Sequence, residues 1–138
     1  MISEKYKVEG GDFTSAGHAS SKVKKILKQL NVAPKIIKRV VVSLYEAEVN
    51  IVAHAYRGEI FVEIDTERIY LKLVDEGPGI PDIDLAMKEG YSTASPAVRE
   101  IGFGAGMGLP NIKKNSNDLK ISSEVDKGTI VEITNYIN

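Results

Sequence analysis

Glu46, Asn50 and His54 stand at i, i+4 and i+8 in an otherwise largely apolar stretch, a spacing that lines them up along one stripe of a helix. An Asn carbonyl can ligate Mg²⁺, which takes a few oxygen ligands beside phosphates and water, and a Glu can accept the proton of a nucleophile. Taken alone, such a stripe is more often the exposed edge of a surface helix, and a lone His54 is more often a satisfied, partly buried histidine than a ligand. Glu48 points roughly away from Glu46, among Val41, Leu44 and Val52, and reads as an exposed end or a partner surface.

Three further stretches could meet that stripe. In Asp75-Glu76-Gly77-Pro78-Gly79-Ile80, counting by twos puts Ile69, Leu71, Leu73 and Asp75 on one strand face. A carboxylate thus ends a buried row and needs a partner. An exocyclic amine such as that of adenine would serve, with Gly77 and Gly79 letting backbone approach a flat ring; a plain Pro-Gly turn is the competing reading. Gly102, Gly104, Gly106 and Gly108 can expose N–H groups just before a helix N-terminus, which favours a phosphate, although a mobile surface loop explains glycines equally well. Pro110, just inside that helix, gives up only an N–H that would be unpaired anyway. Thr129 puts a hydroxyl at the start of an apolar row with Val131 and Ile133, where it could close on the same pocket as Asp75.

The elements that must hold these residues follow from periodicity. A short strand at Tyr6–Val8 precedes the Gly10-Gly11 break. A helix from Ser20 has Val23, Ile26, Leu27 and Leu30 at i, i+3, i+4 and i+7, and its Lys22, Lys24, Lys25 and Lys28 read as a solvated face. Pro34 suits the first turn of a second helix running to about Tyr56, apolar on almost every side and so well buried. Residues 60–64 and 69–74 predict antiparallel strands joined near Asp65 to Arg68. A weakly patterned segment, 81–101, lies between the two glycine-rich loops. A third helix is expected from Gly108 or Leu109 to about Asn117, then a hairpin with strands at 119–125 and 129–137 turning at Asp126-Lys127-Gly128. Antiparallel strands with helices gathered on one face make an α+β sandwich.

The totals narrow the classes. At 138 residues the expectation is one domain, and 43% hydrophobic with 27% charged residues suits an ordinary soluble core. A net charge of −1 gives no general drive toward nucleic acid or anionic lipid. The absence of cysteine rules out disulfides and thiolate metal sites. No run approaches the roughly 18 apolar residues of a membrane span, and the N-terminus has no signal-peptide pattern, so a cytoplasmic location is expected. Ile2, Phe13 and Val32 fit either core or partner surface.

In order, Glu46-x-x-x-Asn50, Asp75-x-Gly77-x-Gly79-Ile80, Gly104-x-Gly106-x-Gly108-Leu109 and Gly128-Thr129 resemble the N, G1 and G2 boxes and closing Gly-Thr of the GHKL superfamily of ATP-binding proteins. The resemblance spans about residues 40–130. The stretch from Asp75 to Ile83, the Gly90-Tyr91-Ser92-Thr93 of the lid and Gly104 to Pro110 most resemble the small bacterial anti-sigma-factor serine/threonine kinases, nearest the stress-signalling switch kinases.

That resemblance implies a Bergerat fold, a two-layer α/β sandwich whose mixed, mainly antiparallel sheet carries helices on one face, filling one domain with its lid at about 81–108. It implies Mg-ATP as cofactor: Asn50 on Mg²⁺, Glu46 as general base toward a Ser or Thr hydroxyl, and Asp75 on the adenine amine directly and through a water that Thr129 supports. Gly77, Gly79 and Ile80 would border the base. Gly104, Gly106 and Gly108 would wrap the phosphates, and His54, Met107 and Leu109 would line the cofactor pocket. The implied substrate is a STAS-domain antagonist protein; a sigma factor is a possible second partner, a homodimer a possible assembly, and no nucleic acid or membrane partner is expected. Ser92 to Ile101 is longer than in the switch-kinase type. With no P-loop-like lysine, γ-phosphate charge would fall to Mg²⁺, loop N–H groups and Arg99 or Lys113. Two other readings remain beside the kinase: a nucleotide-gated binding module that sequesters partners with little or no catalysis, and the ATP-binding half of a histidine kinase. The last needs a helical hairpin with a phospho-accepting histidine, for which 138 residues leave no room.

Overall fold

The computed structural model describes residues 1–87 and 108–137. Five strands, β1 (Ile2–Glu9), β2 (Arg57–Ile64), β3 (Arg68–Glu76), β4 (Asp118–Glu124) and β5 (Gly128–Tyr136), form one sheet in the order β1-β2-β3-β5-β4. All four described pairings are antiparallel. The register stacks apolar residues in rows across the sheet: Ile60, Leu73, Val131 and Ile121 form one, and Val62, Leu71, Ile133 and Leu119 the next. One face of the sheet is therefore apolar.

Helices α1 (His18–Gln29), α2 (Pro34–His54) and α4 (Gly108–Lys114) are described together with a single-turn α3 (Ile83–Ala86). α2 lies against β1, β2, β3 and β5, with α1 and α4 beside it. Its buried positions, among them Ile37, Val40, Leu44, Ala47, Ile51 and Val52, cover enough of its circumference to act as the central rod of the helical layer. α1 is more one-sided: Val23 and Leu27 are fully buried while its lysines stay exposed.

The expected elements are all present with shifted ends. β1 begins at Ile2, and β2 and β3 each gain residues because Arg57 pairs with Glu76 and Gly58 with Asp75. The β2–β3 turn is set by Asp65, whose carboxylate accepts the N–H groups of Glu67 and Arg68, each at 2.8 Å. Val32 belongs to the core, and Ile2 and Phe13 pack at its margin. The other sheet face is polar and internally paired, with Lys5 on Glu59 at 2.9 Å and the Tyr70 hydroxyl donating to Glu132 at 2.6 Å. Among the described residues no helix is long and apolar enough to cross a membrane.

Candidate nucleotide site

At the end of the sheet where α2 finishes, the apolar rows give way to a polar one. Asp75 stands opposite Gly58, and one of its carboxylate oxygens accepts the Thr129 N–H at 3.0 Å. Burial pushes the Asp75 carboxyl above its ordinary range and the Thr129 N–H partly offsets this. No hydrogen bond from the described residues to its second oxygen is found. The Thr129 hydroxyl lies 2.9 Å from Ser123 Oγ, which accepts the Ile80 N–H at 2.7 Å and lies 3.1 Å from the Gly128 carbonyl. Ser123 therefore ties the Asp75–Ile80 loop to the β4–β5 hairpin.

The two glycines of that loop are bound up in packing. The Gly77 N–H donates to the Lys127 carbonyl at 3.1 Å, and a Cβ on Gly77 would lie 2.9 Å from Ala55 Cα. Gly79 has φ +77°, the left-handed region, and a Cβ there would lie 2.5 Å from the Glu124 carbonyl oxygen. Their first requirement is thus the close fit of the loop between α2 and β4.

Along α2, Glu46 and Asn50 are half-buried and one turn apart, with His54 a further turn on, next to the Gly77 loop. Gly108, the first residue of α4, sits against Asn50: a Cβ there would lie 3.0 Å from Asn50 Oδ1. The end of the glycine-rich segment is thus brought to the amide proposed for Mg²⁺. Burial raises the Glu46 carboxyl above the ordinary 4.5, and the Asn111 side chain on α4 partly offsets this. Burial lowers the His54 imidazole below 6.5, which favours its neutral form. α4 is fixed in turn through Ser43, whose hydroxyl lies 2.9 Å from the Arg39 carbonyl and 3.0 Å from that of Asn115.

α2 is thus the spine of the site. Glu46 and Asn50 face the start of α4, and the C-terminal turn of α2 meets the Asp75 loop. Leu109 is buried under the start of α4 and Ile80 is half-buried. Gly104, Gly106 and Met107, together with the rest of residues 88–107, Arg99 among them, lie outside the described residues. Reasoning from sequence missed Asn111, Ser123 and the role of Glu48. Glu48 is neither an exposed end nor a partner surface: it is 2% exposed. Its carboxylate accepts the N–H groups of Ala19 and Ser20 at 3.1 and 3.2 Å and the Ser20 hydroxyl at 2.7 Å, so a side chain of α2 caps the N-terminus of α1.

The model of the histidine kinase-like ATPase domain family matches residues 12–135. The chain belongs to that family. The chain is 29% identical over 116 residues to the serine/threonine-protein kinase RsbT of Bacillus subtilis (strain 168), with 81% of each chain covered. To the anti-sigma F factor of Thermoanaerobacter sp. (strain X514) it is 31% identical over 114 residues, covering 79% of this chain and 76% of that one. Two solved structures share the fold. One is the mycobacterial sensor histidine kinase MprB, with TM-score 0.56, 15% identity, and 98% of this chain and 97% of that chain covered. The other is the SiaB–SiaC complex from Pseudomonas aeruginosa, with TM-score 0.61, 12% identity, and 96% and 89% covered. The Bergerat architecture expected from the four motifs is the fold of this ATPase domain.

Proposed function

We propose that the chain is a single-domain, Mg-ATP-dependent serine/threonine kinase that phosphorylates a STAS-domain antagonist in bacterial partner switching. The observation that carries this reading is the meeting of Glu46, Asn50 and Gly108: a half-buried carboxylate of raised pKa one turn from an amide against which the glycine-rich segment ends. The donor set fits a Mg-nucleotide. Asn50 offers one neutral oxygen, which suits an ion that keeps phosphate and water ligands, and Gly108 leaves the space beside it that a Cβ would fill. Mg²⁺ would offset charge on the phosphates.

The chain's own residues divide the remaining work. Asp75, through the oxygen not taken by Thr129, accepts from the adenine amine, and Gly77, Gly79 and Ile80 border the base. Gly104, Gly106 and Gly108 surround the phosphates, Met107 and Leu109 border the cofactor, and His54 lines the pocket as a neutral group. Glu46 takes the proton of the attacking hydroxyl, and Asn111 holds its carboxylate in place. The similarity to a protein named as a kinase supports transfer.

The similarity to an anti-sigma F factor favours a second reading, a nucleotide-gated module that sequesters a sigma factor or antagonist with little catalysis. Transfer of labelled γ-phosphate to a STAS-domain protein separates the two. Wild type transfers and Glu46→Ala does not, while both bind Mg-ATP alike; binding without transfer by wild type would establish the module instead.

A further inference from the structure

Followed from Glu46 toward its N-terminus, α2 presents Val42 and then Lys38 at steps of four residues, and there a groove opens between α2 and α1. It encloses about 570 Å³. Val32 and Ile37, 9% and 6% exposed, make its floor, and Val41 and Val42 are half-buried along its wall. Exposed Lys24, Lys28 and Lys38 form its rim.

The charge around this groove departs from the chain average. Residues 13–45 carry seven Lys and Arg and no Asp or Glu, while the rest of the chain carries eleven basic and nineteen acidic residues. The net charge of −1 thus conceals a strongly positive segment made of α1 and the N-terminal half of α2. Two lysines outside this segment are ion-paired, Lys5 with Glu59 and Lys127 with Glu124. Among the described residues Lys24, Lys28 and Lys38 have no ion-pair partner. A purely solvated face needs no recessed apolar floor, and an apolar floor alone does not call for a cationic rim.

We propose that this groove docks an acidic amphipathic segment of a partner protein, its apolar side chains on the valine floor and its carboxylates against the three lysines. Helix-in-groove recognition has this form. Single-stranded nucleic acid would seek aromatic stacking platforms, which the groove lining lacks, and a bilayer would need a convex or flat apolar face. Val42 lies one turn, about 6 Å along the axis, from Glu46, so chain flanking the docked segment is led toward the base. Only this last step rests on the kinase reading.

The test is an NMR titration of the ¹⁵N-labelled full chain with a helical peptide of about 16 residues, leucines at i, i+3, i+4 and i+7 and glutamates elsewhere. Amide shifts are expected to centre on residues 24–42, with affinity falling about tenfold or more in Lys24→Glu/Lys28→Glu and for a peptide with serine in place of leucine. Three results would overturn the proposal: equal binding by the serine peptide, tighter binding of an oligothymidylate of equal charge at the same amides, or no shifts at millimolar peptide. The Mg-ATP thermal shift, read on the same samples, is expected to be equal in wild type and the charge-reversed variant. A wild type without that shift would sink the nucleotide site and leave docking to be judged by the peptide alone.

Discussion

Glu46 and Asp75 are both carboxylates whose pKa burial raises, and the sign of that shift sets a cost. Between the ordinary value of 4.5 and the raised one, folded Glu46 holds a proton that the unfolded chain has released. Stability therefore falls as pH rises through that window, and the penalty persists at neutral pH. Glu46→Gln removes the charge and keeps an oxygen for Asn111. Its melting temperature is expected to exceed that of wild type at pH 7, the difference closing as pH falls below 4.5, while phosphoryl transfer drops about 100-fold or more. A pH series of thermal melts beside a transfer assay checks both. In Asp75→Asn, the amide oxygen can still accept the Thr129 N–H, so the fold is kept. Its NH₂ then replaces the acceptor oxygen and meets the adenine amine donor to donor. An unsatisfied pair of this kind costs about 1–3 kcal/mol, so calorimetry should show ATP affinity lower by about 10- to 100-fold.

Elements are joined here by single polar contacts that sequence periodicity does not reveal. Glu48 sits on the buried side of α2, a position its helical pattern marks as wrong for a carboxylate, and its partners are 28 and 29 residues away. The sequence showed the conflict and could not show the resolution, because cap and capped helix are distant in the chain. Ser123 was equally hidden: a lone serine in a strand carries no signal until Ile80, Gly128 and Thr129 are placed around it. The stripe of Glu46, Asn50 and His54 was legible because its spacing is local to one helix. Two element-scale outcomes follow. Glu48→Ala exposes the α1 N-terminus to no acceptor and should lower unfolding free energy by about 2 kcal/mol, measured by urea titration. Gly79→Ala forces a side chain into left-handed backbone beside the Glu124 carbonyl and should cost more than about 1 kcal/mol. It should also weaken Mg-ATP binding, since the loop it strains carries Asp75.

At the scale of the molecule, the apolar rows of the sheet and the buried side of α2 make the stable part, and the candidate site lies where those rows end in Asp75, Thr129 and Ser123. Alternation in the strands and near-continuous apolarity in α2 made that sandwich readable from the sequence. The strand order β1-β2-β3-β5-β4 was less so, because β5 pairs with β3 across a long intervening segment. Nucleotide bound across α2, the Asp75 loop and α4 would bridge elements far apart in sequence, and that sets the expectation for the whole fold. A ligand that binds only the folded state adds about 2.7 kcal/mol at 100 times its dissociation constant, on the order of 10 °C in melting temperature for a chain of this size. The rise should grow with the logarithm of Mg-ATP concentration, and Asp75→Asn should need about 10 to 100 times more nucleotide for the same shift. A rise in wild type that Asp75→Asn matches at every concentration would mean that the nucleotide binds away from the polar row.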